Sequence, residues 1–234
     1  MILVILVTVA SYGLAWLIGI PWLMPFLNAA GAWGVMVAEL RRRRTGRAIA
    51  VMLVWAATMA VVSTGMASTG WSRSEEGTDL FLRSSYRDEM IEWVRTGVGA
   101  ESTPSVFIPR HLAYAGVFAA TSLVTGGALA MPMGAALMNQ MGEYVGAMTA
   151  QSKSPFASAV LGWHPWAVIR IIGFVMIGVV LSGVLLSRAL NFPFSLAAER
   201  HWLLIGVALL VIDIVLKWLL APAWARILKG LAGW

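Results

Sequence analysis

An aspartate, Asp213, and a lysine four residues on, Lys217, interrupt the last long apolar run of the chain, His201 to Leu220. A charge at bilayer depth costs about 2.5–3.5 kcal/mol on insertion scales, so such residues sit against partners or in a polar cavity and mark function first. Their spacing puts both on one helix face with the acid N-terminal to the base, the order in which the two pair best. Two chemistries follow. In one, Lys217 neutralises Asp213, its long stem reaches toward the interface, and the pair only orients the helix. In the other, Asp213 is a proton or cation site with Arg170, from the neighbouring span, as its partner.

A second group is Glu143 with Asn139, Gln140 and Tyr144, polar side chains on adjoining turns of one helix, followed by His164 in the context Gly162-Trp163-His164-Pro165-Trp166. A glutamate and a histidine close in space could do acid–base work or hold a metal. No H-E-x-x-H is present, and no second carboxylate or histidine stands at ligand spacing. His111, His164 and His201 all fall at predicted span ends, where a histidine bonded to a loop or headgroup is the simpler account. Ser63, Ser122 and Ser182 lack the G-x-S-x-G context of a serine nucleophile, and no phosphate-binding G-x-x-x-x-G-K-[ST] loop occurs. The absence of cysteine removes disulfides, thiolate metal sites and cysteine nucleophiles. No cofactor is named by these residues.

The elements that must position these groups are membrane helices. Hydrophobic residues make up 59% of the 234, charged residues 12%, and mean hydropathy is +0.80, a surface that water would not dissolve. The net charge of +6 comes from arginines clustered between apolar runs, the positive-inside pattern, so the partner is the lipid bilayer and not nucleic acid. The fold class is therefore all-α, a polytopic helical bundle of five to six spans with re-entrant or interfacial helices besides, because only helices satisfy every backbone group in lipid here.

Ile2 to Leu40 is broken at Pro21 and Pro25, giving two short spans or one span and a re-entrant helix. Met1 onward reads as retained membrane segment, without a signal-peptide pattern. Arg41 to Arg44 and Arg47 mark the cytoplasmic side, and Ala48 to Ala67 leads away from it. Residues 71–109, which hold seven of the eleven acidic residues, form an outside insertion in an otherwise single membrane domain, 1–234. Within it Ser85 to Thr96 predicts an amphipathic helix that lies on the membrane or docks a partner, stopped by Gly97. His111 to Met131 returns inward. Gly134 to Ala150, with a Gly142 to Gly146 small-xxx-small spacing, is a re-entrant, interfacial or polar-faced helix. Trp163 to Ser187 and His201 to Leu220 complete the spans. The basic tail with Arg226 and Lys229 is placed on the cytoplasmic side with Arg41 to Arg44, which requires that Gly134 to Ala150 not cross fully. Two apolar blocks, 1–68 and 111–188, hint at a duplicated unit.

Residues 110–188 resemble the membrane core of the stage II sporulation protein M family. The likeness lies in a span opening with Arg110-His111, a glycine pair Gly126-Gly127, an asparagine followed by glycines (Asn139, Gly142, Gly146), and His164 heading a span rich in small residues (Gly173, Gly178). That family usually follows the histidine with glycine and then an acid one turn on, where Pro165 and Val168 stand here. The resemblance implies a non-enzymatic integral component of a larger membrane assembly.

Three functions are thus expected in order. The first is a non-catalytic subunit or scaffold of a membrane complex, bound to other membrane chains or to copies of itself through the Gly142 face or the helix of 85–96, in a bacterial cytoplasmic membrane. The second is a small transporter or channel using Asp213 and Arg170. The third is a membrane enzyme using Glu143 and His164.

Overall fold

Proline and glycine set the ends of the helices. The computed structural model describes residues 1–70 and 83–234; Glu75, Glu76 and Asp79 of the acidic segment lie outside the described residues, and among the described ones every regular element is helical. Helix α1 (Ile2–Ile18) closes on Gly19, whose φ of 65° is the left-handed conformation glycine adopts without strain. A one-turn 3-10 segment, Pro21–Leu23, then leads into α2 (Met24–Arg41), which returns antiparallel so that Asn28 meets Ser11. The broken first block is a helical hairpin.

The arginine loop joins α2 to α3 (Thr45–Ser68). The predicted amphipathic helix is present as α4 (Arg83–Thr96), two residues longer at its start than expected, with Gly97 at φ 74° as its stop. After a 3-10 turn at Ala100–Ser102, Pro104 opens α5 (Pro104–Thr125) at the position where a missing N–H costs nothing. That span was expected to run to Met131. It stops six residues earlier because Gly126 and Gly127, at φ 60° and 84°, form the turn instead of lying within the helix. The chain then builds α6 (Ala130–Gln151), a short α7 (Pro155–Leu161), α8 (Pro165–Ala189) and α9 (Leu196–Ala232). Ser195 caps α9 by accepting from the Ala198 N–H, and the helix continues through Pro222 well past the expected Leu220.

Small residues fix the crossings. Helices α3 and α6 run parallel and in register, Gly134 facing Trp55, Gly142 facing Ser63 and Gly146 facing Thr64 and Ala67. α5 and α8 are likewise parallel, with Gly178 against the Phe118 ring and Gly126 against Leu186. α8 and α9 are antiparallel, and a Cβ on Gly173 would stand 2.9 Å from the Gly206 carbonyl oxygen. These contacts orient the whole bundle.

Trp202, near the start of α9, packs at Gly46 beside the arginine loop, whereas Ser152 and Lys153 bond to the Leu231 carbonyl oxygen at the other end. Arg41 to Arg44 and the C-terminal tail therefore lie at opposite ends of the bundle, contrary to the expectation that they share a side. The reason is α6, which accompanies α3 along its length rather than turning back. The basic tail has local partners: Lys229 Nζ donates to the Arg95 carbonyl oxygen (2.7 Å), and Arg95 lies 4.7 Å over the Trp234 ring.

Two cores stack along the bundle. The larger, built on α1, α2, α3, α6 and α8, holds Tyr12, Met36, Met52, Trp55 and Met59. The smaller holds Met90, Trp93 and Val94 of α4 with Tyr144, Met148, Trp166, Ala225 and Leu228, and forms a cap over the bundle. The apolar face of α4 is thus covered by its own chain. Among the described residues three helices, α3, α8 and α9, are long and apolar enough to cross a membrane, and only 17% of the most apolar stretch of α9 is buried. Exposed Leu17, Leu112, Leu204 and Trp218 make the same point, and the fold is consistent with an integral membrane protein.

Candidate functional site: a cavity beneath an ion-pair layer

Between the two cores lies a layer of charges. Lys217, fully buried, does not turn back to Asp213; its Nζ donates to Glu101 Oε1 at 2.6 Å and lies 4.7 Å over the Phe107 ring. Asp213 faces the other way, with Oδ2 3.5 Å from Arg170 Nε and 3.6 Å from His111 Nε2. The on-helix pairing is thus not formed. Each residue finds a partner on another element, Arg170 being the one foreseen for Asp213. Arg87 meets Glu143 at 3.5 Å, and Arg110 meets Glu89 at 3.1 Å. Arg87 also holds Asp88 at 2.9 Å, so four cations and five carboxylates meet across α4, the 3-10 turn, α5, α6, α8 and α9.

Burial pushes the Glu101 carboxyl upward, but the Lys217 ammonium, the Arg170 guanidinium and the hydrogen bond from Lys217 outweigh it and hold the group below its ordinary value. Burial also drives the Tyr86 phenol far above its usual range, so it stays protonated. Its hydroxyl donates to the Met141 sulfur at 3.4 Å. His111 Nδ1 lies 2.8 Å from the Phe107 carbonyl oxygen, which can only accept, so this nitrogen carries the hydrogen. The Nε2 nitrogen then points a lone pair toward Asp213 when the ring is neutral. Both His111 Nε2 and Asp213 Oδ1 are buried without a hydrogen-bond partner among the described residues.

The remaining candidates are dispersed. Asn139 Oδ1 accepts from the Tyr12 hydroxyl (2.7 Å) in the larger core. His164 caps α8, contacts the Tyr144 hydroxyl at 3.3 Å, stacks on Trp166 and meets the edge of Trp93. Glu143 and His164 are not brought together: Glu143 turns to Arg87, about 100° round α6 from Tyr144, its neighbour in sequence. Among the described residues no three His, Asp or Glu side chains converge as a metal set would. Glu101 and His111 are the functional-looking residues that sequence reasoning missed. Glu101 sits in an acidic, solvated-looking segment, and only its contact with a lysine 116 positions away reveals it.

Beneath the layer is a cavity of about 170 Å³. Its mouth is lined by Tyr86, Glu101, Arg110, His111, Tyr114 and Arg170, its shaft by Phe118, Met131, Met138, Ile171, Phe174 and Val175, and its floor by Ser122, Gly127 and Ser182. Gly134 leaves room beside the Phe118 ring, 3.7 Å from where a Cβ would stand, whereas Gly178 lines the wall packed against that ring. A mostly apolar cleft with a few convergent polar groups at one end is the usual form of a small-molecule site. No protein-family model, no curated protein and no solved structure matches the chain.

Proposed function

We propose that the chain is a non-catalytic integral membrane protein that takes an amphipathic, lipid-like molecule into this cavity. The carrying observation is the division of one cavity into a charged mouth and an apolar shaft, the same division that an amphipath has. In this reading α2, α3, α5, α6, α8 and α9 cross the membrane as six spans, α1 is a shorter hairpin partner, and the arginine loop faces the cytoplasm. The likeness of residues 110–188 to a non-enzymatic membrane family points the same way. Features that favoured a subunit role have partners within the chain: α3 covers the Gly142 face, and α6 and α9 cover α4. Purification in lipid nanodiscs followed by native mass spectrometry tests the proposal. The wild type retains an amphipath, and Gly134→Leu, which fills the shaft without a backbone clash, expels it while keeping the melting temperature; a wild type that retains nothing overturns it.

A second reading is transport, favoured by the buried, unbonded Asp213 Oδ1 and His111 Nε2 beside Arg170. Intramembrane acids of this kind mark proton pathways. Asp213→Asn would then assemble normally and abolish proton-coupled flux in liposomes, and an absence of flux in the wild type sinks this reading.

A further inference from the structure

Among the described residues three charged side chains reach the cavity, Glu101, Arg110 and Arg170, and they are not equally occupied. Glu101 is engaged by Lys217 at 2.6 Å, and Arg110 holds both oxygens of Glu89 at 3.1 and 3.5 Å. Arg170 touches Asp213 through Nε alone, at 3.5 Å, beyond a good hydrogen bond. Its two terminal amino groups make no hydrogen bond to any described residue, although the side chain is only 25% exposed. A guanidinium fork left idle in a mostly enclosed site is costly, and it matches the paired oxygens of a carboxylate, sulfonate or phosphate.

We propose that the ligand is an acidic amphipath, its anionic headgroup seated on Arg170 and its alkyl chain lying along the shaft toward Ser182. This rests on the cavity being a site for a lipid-like molecule. Arg170 and Ser182 are separated along α8 by about 18 Å of helix, enough for an alkyl chain of lipid length. A cationic headgroup fits poorly, because Glu101, the one carboxylate at the mouth among the described residues, already faces an ammonium and a guanidinium.

Arg170 already stands against the Asp213 carboxylate, so an added anion there needs a compensating charge. Asp213 supplies it by taking up a proton, and the His111 Nε2 lone pair 3.6 Å away is the nearest acceptor toward which that proton can turn. The groups facing Asp213 are His111 of α5, Arg170 of α8, Lys217 of α9 and Glu101 of the 3-10 turn. Once Asp213 is neutral, Arg170 becomes the unmatched cation of the mouth. The acid therefore binds together with one proton.

The test uses four twelve-carbon probes, dodecyl sulfonate, dodecanoate, dodecanol and dodecyltrimethylammonium, titrated against the full chain in nanodiscs of neutral lipid. The sulfonate, whose charge does not change with pH, binds about tenfold or more tighter than the alcohol or the ammonium, as a charge-assisted bidentate contact warrants. Its affinity rises as pH falls, and this dependence is lost in Asp213→Asn. Arg170→Gln reduces the sulfonate to the affinity of the alcohol while the alcohol still binds, which shows that the shaft remains intact; Arg170→Lys recovers part of the preference. Competition by phosphatidylglycerol added to the nanodisc would identify a membrane lipid as the source of the headgroup, and its absence a free single-chain acid. Equal binding of sulfonate, alcohol and ammonium, or tighter binding of the ammonium, overturns the acidic ligand while leaving the cavity reading in place. If none of the four binds, the cavity reading itself falls.

Discussion

Lys217 carries its charge into a place where it has no water, and the structure shows what holds it there. Breaking a buried ion pair from one side strands the other charge, at about 3–5 kcal/mol, whereas replacing both partners with apolar or neutral groups is often close to neutral. Lys217→Met and Glu101→Gln should each lower thermal stability by that order, and the double variant should recover most of the loss, as read by melting in mild detergent. The cycle between Asp213 and Lys217 should show far weaker coupling, since the two face different partners. The pH response of the pair has a definite sign. Glu101 has a folded value below its ordinary 4.5, so its contribution is fully present above 4.5 and is lost as pH falls through the lowered value. Protease nicking between Gly97 and Pro104 should be constant from pH 7 to 5 and increase only in more acid solution, and nicking that already rises at pH 6 would contradict the assignment.

At the scale of elements, close approach between α3 and α6 depends on residues without side chains. A Cβ on Gly146 would stand 2.7 Å from the Thr64 carbonyl oxygen and 2.8 Å from the Ser68 nitrogen, both of them backbone atoms that cannot swing aside. Gly146→Ala should cost about 1–3 kcal/mol as an overpacked contact. Gly116→Ala, where nothing lies within 4 Å, should be neutral or slightly stabilising through helix propensity; comparison of the two by thermal melting separates packing from propensity. The helices themselves were largely legible in the sequence. Gly97 stops α4 as read, because breakers act over a few residues, whereas α8 opens at Pro165, two residues after the expected Trp163. Gly126-Gly127 misled because a glycine pair serves equally within a close-packed membrane helix and at its end. Asp213 with Arg170 could be anticipated from their rarity in apolar runs. Glu101 with Lys217, and His111 with Asp213, could not, because pairing across 116 and 102 positions is set by how helices pack and leaves no local pattern.

For the whole molecule, the two ends of the bundle bear different chemistry, arginine loop at one and aromatic cap with the C-terminus at the other. The tail's Arg226 and Lys229 looked like a second cytoplasmic signal, but a count of basic residues cannot distinguish a headgroup from the Arg95 carbonyl as the partner. Since the chain has no cysteine, Arg42→Cys and Gly230→Cys report the arrangement cleanly. A membrane-impermeant thiol reagent should reach one in intact cells and the other only after permeabilisation, and labelling of both from the same side would refute it. Helix α9 adds a mechanical consequence. Its 37 residues make a rod of about 55 Å, against a hydrocarbon layer of about 30 Å, and it runs from the arginine end into the cap without interruption. A bilayer whose thickness changes alters the tilt of such a rod, and here the same rod carries Asp213, Lys217 and the cap residues Ala221, Ala225 and Leu228. The cap and the charged layer should therefore be less protected from hydrogen exchange in short-chain than in long-chain lipid nanodiscs, and equal protection in both would argue against such coupling.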